Sequence, residues 1–231
     1  MGRAGSSVRV AVYHAGHMGT LSTFQAGRLP ELAPMLREWI RANAAYVEQC
    51  EDSDAPWWFN ERAALSVVAA AAWLAGGIAL EEYSAPKHRT GAKSGSSGER
   101  TRCDLFVSFR KQGRAGGNHN FICEAKIIWP ELDSPRLAQR IHQGIHTVRR
   151  DARRTLNDGY SRRLGILLVS PWLTRPAVDD WREYALHFVE VLRAVDGVAA
   201  AWFFAKRPLL WRGKGEYYPG SAVVISTLRQ R

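Results

Sequence analysis

Cysteine is scarce in this chain: Cys50, Cys103 and Cys123 are an odd number with no Cys-x-x-Cys spacing. That excludes a disulfide framework and a zinc knuckle, and it fits reduced thiols in a cytoplasmic protein. Lysine is scarce too, six of 32 cations, so any lysine stands out against an arginine background. Acidic residues are in deficit, 22 against 32, and the resulting net charge of +10 favours a polyanionic partner. No secretory signal pattern opens the chain, and the match of Met1-Gly2-Arg3-Ala4-Gly5-Ser6 to a loose myristoylation pattern is read as chance. Only one uncharged run, residues 63–80, approaches the length that spans a bilayer. It is mostly alanine and is broken by Gly76-Gly77, so a helix ending at the glycines and leading into a strand is expected, with no membrane partner. Internal repeats and proline-rich linkers are also lacking. The expected organisation is therefore an N-terminal extension of a strand and a helix over residues 1–53, followed by one domain over 54–231.

What is present is a chain of 231 residues, 46% hydrophobic and 23% charged, long enough to bury a sizeable core. Residues 8–14 read as a short strand, and Pro30 to Gln49 as an amphipathic helix with Leu32, Met35, Leu36, Trp39, Ile40 and Tyr46 as its apolar stripe. A second helix can start near Asp54, as N-cap with Pro56 in the first turn, and run to about Ala75. Its Glu61, Leu65, Val68 and Ala72 share one face, which sets a carboxylate on an apolar stripe. Strands follow at Ile78–Tyr83, Asp104–Phe109 and Asn120–Ile128, the first two separated by a Gly/Ser/Lys-rich loop and the last two by a basic hairpin loop. A helix from Pro135 to about Leu156, a strand at Leu164–Ser170, a helix at Asp180–Val195 and a terminal strand pair complete an α/β pattern with a mixed sheet.

Alternation along the third of those strands puts Glu124 and Lys126 on one face, and Cys123, Ala125 and Ile127 on the other. A carboxylate and an ammonium on so apolar a strand are costly to bury unless paired or bound to a metal. Asp104 opens the preceding strand and, in an antiparallel hairpin, comes near Glu124. Two carboxylates in one apolar setting need a divalent cation or a proton to coexist, and Glu61 can add a third acidic ligand. Cys103 and Cys123 are expected on the opposite sheet face, buried and reduced.

Helix, strand, Asp, hairpin, Glu-x-Lys, helix, strand resembles the PD-(D/E)xK phosphodiesterase superfamily, the restriction-endonuclease-like nucleases, over about residues 55–170. The resemblance implies a metal-dependent nuclease. Glu61, Asp104 and Glu124 would hold Mg²⁺, with Mn²⁺ as a substitute, and Lys126 would orient or deprotonate the attacking water beside Asp104 and Glu124. Cys103 stands where the name-giving proline would be, and no clear Gln-x-x-x-Tyr signature follows, which leaves Gln139 and Gln143 as auxiliary residues. The chemistry agrees: phosphodiester hydrolysis needs a metal-activated water and charge neutralisation at phosphorus. A lysine ammonium is a compact point charge with a shiftable pKa, unlike arginine.

Cations cluster on either side of these residues, eight within 87–114 and eight within 136–163. Lys87, Arg89, Lys93, Arg110, Lys111, Arg140, Arg149, Arg150 and Arg153 are the expected phosphate contacts, with DNA ahead of RNA as the partner. A homodimer would allow double-strand cleavage, and a catalytically silent chain that binds nucleic acid or a partner protein is the alternative. His142 and His146 have zinc-compatible spacing but no third ligand, and of the nine tryptophans most are expected in the core. An arginine-rich, lysine-poor chain of this size fits a bacterial setting in defence, as a toxin or on a mobile element.

Overall fold

The computed structural model describes residues 21–87, 99–111, 116–155, 159–211 and 215–228. The expected strand at 8–14, the cations Arg89 and Lys93 and the side chain of Lys87 lie outside the described residues. A short strand, β1 (Leu21–Gln25), leads into helix α1 (Ala33–Gln49) and helix α2 (Glu61–Leu74). Then come β2 (Ile78–Lys87), β3 (Glu99–Arg110), β4 (Asn118–Ile128), α3 (Leu137–Arg154) and β5 (Ser161–Val169). Helix α4 (Trp181–Arg193) and strands β6 (Val198–Trp211) and β7 (Glu216–Thr227) close the fold. The seven strands form one mixed sheet in the order β1-β6-β7-β5-β4-β3-β2, and only β4 and β5 run parallel.

Strands in the middle of the sheet are apolar on both faces because both faces are covered. On β6, Ala199, Ala201 and Phe203 join the core under α1 and α2, while Ala200, Trp202 and Phe204 join the core under α3 and α4. The stripe of α1 (Met35, Leu36, Trp39, Ile40) lies in the same cluster as Phe121 and Ile166 of the central strands, and β1 pairs with β6. The described part of the expected extension is thus built into the sheet and the main core. Tyr46, expected in that stripe, is only partly buried, and Asn43 and Val47 are buried in its stead.

Helix α2 starts later than expected. Asn60, not Asp54, caps it, its side chain accepting from the Ala63 N–H at 2.9 Å. A 3-10 turn over Pro56–Trp58 intervenes, and Asp54 accepts from the Tyr46 hydroxyl at 2.8 Å and from the Ala55 N–H. The helix ends as expected at the glycines. Gly76 takes φ +78°, and the N–H groups of Gly76 and Gly77 return to the carbonyls of Trp73 and Ala72, a Schellman closure. No described helix is long and apolar enough to cross a membrane.

Helix α3 lies directly on β4 and β5 because glycine permits it. A Cβ on Gly165 would stand 2.8 Å from the Val148 backbone, and one on Gly144 2.8 Å from Leu167. Gly165→Ala is therefore expected to cost about 1–3 kcal/mol, read as a lowered midpoint in urea unfolding. An unchanged midpoint would show that α3 can lift without loss.

Candidate active site

The site is a fork in the sheet. Strand β4 pairs with β5 over its length from Asn120 to Ile128, but with β3 only as far as Leu105↔Cys123. Beyond that point β3 continues with β2 alone, through Tyr83↔Cys103 to Lys87↔Glu99. The β4 edge that β3 abandons carries backbone N–H groups which need acceptors. Carboxylates fill both places: Asp104 Oδ2 accepts from the Ala125 N–H at 2.7 Å, and Glu61 Oε2 accepts from the Ile127 N–H at 3.1 Å. Two residues of strand separate these acceptors, about 7 Å.

Lys126 sits between them. Its Nζ donates to the Ala125 carbonyl at 2.8 Å and stands 3.6 Å from Glu61 Oε1, with the side chain 43% exposed. Helix α2 delivers Glu61 as its first residue, directly after the Asn60 cap. An acidic group there also favours the positive end of the helix dipole. The structure thus brings Glu61, Asp104 and Lys126 around residues 125–127.

Glu124 is held differently. It is 8% exposed, on the sheet face under α3, and its Oε1 accepts from the Thr155 hydroxyl at 3.2 Å. Thr155 is held in turn by Arg163 of β5, which donates to the Thr155 carbonyl at 2.7 Å and the Arg153 carbonyl at 3.3 Å. Sequence reading missed Thr155 and counted Arg163 only as one of the cations within 136–163. Their signal was present in the α3–β5 turn, but only the crossover shows that this turn returns to Glu124.

Cys123 lies in the core under α1 and α2, as parity predicts. Burial pushes its thiol well above the ordinary value, with the Cys103 thiol and the Glu124 and Asp104 carboxylates adding to the shift. Cys103 departs from expectation: it packs with Ile122 and Phe106, and its thiol donates to the Tyr83 carbonyl. The pleat is broken beside Asp104, where Glu82 on the partner strand takes φ 55° and the register skips a pair. Arg102 donating to Glu82 holds that exposed carboxyl below its ordinary value, with Arg62 nearby.

The cations divide into two groups. On α3, Leu137, Ile141, Ile145 and Val148 are buried, which turns Arg140, Arg150 and Arg153 outward with His142 and His146, while Arg149 is partly buried. Gln139 and Gln143 share the exposed side. Thr155 ties the C-terminal end of this helix, which carries Arg150 and Arg153, to Glu124 of β4. Arg110 and Lys111 are exposed but sit at the β3–β4 hairpin, seven residues along β4 from Ala125, about 23 Å away. Lys87 ends β2 at the far tip of the β2–β3 arm. Arg162 pairs with Glu31 of the 3-10 turn before α1.

Carboxylate oxygens are the donors a hard cation takes, so Glu61, Asp104 and Glu124 suit Mg²⁺ in kind. Among the described residues no three His, Cys, Asp or Glu side chains already stand grouped to hold a metal, with Glu124 turned to Thr155. No family model, no curated protein and no solved structure matches this chain.

Proposed function

We propose that this protein is a metal-dependent nuclease with a restriction-endonuclease-like core running from α2 to β5. One observation carries the reading: where β3 leaves β4, two carboxylates from distant segments and the single lysine of the strand meet within three residues of backbone. The order of helix, three antiparallel strands, helix and parallel strand supports the same core.

Glu61, Asp104 and Glu124 would hold Mg²⁺, or Mn²⁺ in its place, and the ion supplies Lewis acidity at the phosphate and an acidified water. Lys126 would orient or deprotonate that water, as the resemblance implies, and its Nζ lies 2.8 Å from the Ala125 carbonyl and 3.6 Å from Glu61 Oε1. The outward arginines of α3 neutralise backbone phosphates beside the fork. DNA is the favoured substrate, in a bacterial defence, toxin or mobile-element role.

The internal engagement of Glu124 with Thr155 and of Lys126 with Glu61 favours a second reading, a silent nuclease fold that binds nucleic acid or a partner protein. The purified chain, given plasmid, linear and single-stranded DNA and RNA, separates the two. Cleavage in Mg²⁺ or Mn²⁺ that stops in EDTA is expected. Binding of nucleic acid with no cleavage in any metal would leave the silent reading in its place.

A further inference from the structure

Several aromatic residues are not spent in the core, Trp73 and Tyr160 among them, and one set of them gathers near the fork. Phe59 is 50% exposed, and Trp129, Trp172 and Trp211 are only partly buried against the α1–α2 side of the sheet. Phe59, Trp129 and Trp172 lie on segments joined beside the fork, where Glu61 accepts from Ile127 and the Ser170 hydroxyl donates to the Trp57 carbonyl, whereas Trp211 ends β6 and reaches the group through Trp58. Phe59 stands two residues before Glu61, Trp129 follows Lys126 by three, and the Trp172 indole N–H donates to the Trp129 carbonyl at 3.2 Å. Trp58 joins them: it stacks on Trp211 with centroids 6.3 Å apart and planes 26° from parallel, and it meets Phe59 edge-on at 6.2 Å and 80°.

Trp58 is buried, and packing accounts for it. Packing does not account for Phe59, whose ring gives half its surface to water at the mouth of a strongly basic chain. Such a rim offers aromatic surface within three residues of two exposed or half-exposed cations, Arg62 after Phe59 and Lys126 before Trp129. The ligand that matches both is an unpaired nucleotide, because a duplex keeps its base faces stacked on one another and presents only edges and phosphates.

We infer that the rim of Phe59, Trp129, Trp172 and Trp211 is a base-stacking platform, and that the fork takes single-stranded nucleic acid. The inference rests on the nucleic-acid reading of the fork and names its substrate class. Stacking is blind to the sugar, so DNA and RNA single strands share it.

Binding measured in EDTA isolates this step from cleavage. Labelled oligo(dT), oligo(U) and a duplex, each of about 15 nucleotides, are titrated by fluorescence anisotropy, with quenching of the intrinsic tryptophan emission as a second readout. The expected result is preference for the single strands. Phe59→Ala weakens single-strand binding by about 5- to 100-fold, leaves duplex binding unchanged, and is rescued by Phe59→Tyr. Because Phe59 is half exposed, neither variant threatens the fold. Equal affinity for single strand and duplex, or a Phe59→Ala protein that binds like the parent, overturns the platform. Its failure is distinct from failure of the nuclease reading: a chain that cuts duplex in Mg²⁺ without single-strand preference loses only the platform. One that prefers single strands but never cuts loses only the nuclease.

Discussion

Replacing Asp104 by Asn is expected to leave the protein folded and to lower metal-dependent cleavage by about a thousandfold, whereas Asp104→Ala is expected to lose both cleavage and stability. The difference follows from the two jobs of one carboxylate. Oδ2 accepts the Ala125 N–H at 2.7 Å on the abandoned edge of β4, and an amide oxygen can do the same. Alanine cannot, and an orphaned N–H on a buried residue costs about 1–3 kcal/mol. The negative charge is a different matter. Asparagine removes an anionic metal ligand, and the Lewis-acid contribution is worth several kcal/mol, at about 1.4 kcal/mol per tenfold in rate. Urea unfolding read beside single-turnover cleavage separates the two jobs. An Asp104→Asn protein that cuts at the parental rate would reduce Asp104 to a strand cap.

Lys126→Ala is expected to slow cleavage by about 10²- to 10⁴-fold, the range for a positioned proton-transfer group, with little change in stability. Its ion pair with Glu61 is 3.6 Å long and both side chains are more than a third exposed, so it contributes at most about 1 kcal/mol. Lys126→Arg is the sharper test. It preserves the positive charge between Glu61 and Asp104 but replaces an ammonium whose pKa can move with a guanidinium that stays protonated. The arginine protein is expected to bind nucleic acid like the parent and to cleave as poorly as the alanine protein. Restored cleavage would mean that Lys126 acts as a fixed charge alone, and full activity in Lys126→Ala would remove it from the chemistry.

Much of the frame was legible without coordinates because it depends on local periodicity. The 3.6-residue spacing of Leu137, Ile141, Ile145 and Val148 makes α3 amphipathic wherever it packs, and its arginines fall outward for the same reason. Gly76 at φ +78° ends α2 by a rule that needs only the next two residues. Parity along Phe121–Ala125 separates Phe121, Cys123 and Ala125 from Ile122 and Glu124. The same rule fails at Cys103, because parity survives only while the pleat does, and the strand is irregular opposite Glu82. Asp54 was misread as the cap because Asp54-Ala-Pro and Asn60-Glu are equally good openings, and tertiary packing of Trp57 and Trp58 decided between them.

The sequence by itself determined most of the described element types and the mixed α/β sheet, since each follows from spacing or composition. The tertiary structure alone decided how those residues meet. That Asp104, where β3 parts from β4, reaches the Ala125 N–H, that Glu61 crosses from another helix to the Ile127 N–H, and that Thr155 returns to Glu124 all depend on chain segments 21–66 residues apart. No local rule carries information over that distance. Burial of the shared core and the demand that each strand N–H find an acceptor together impose it.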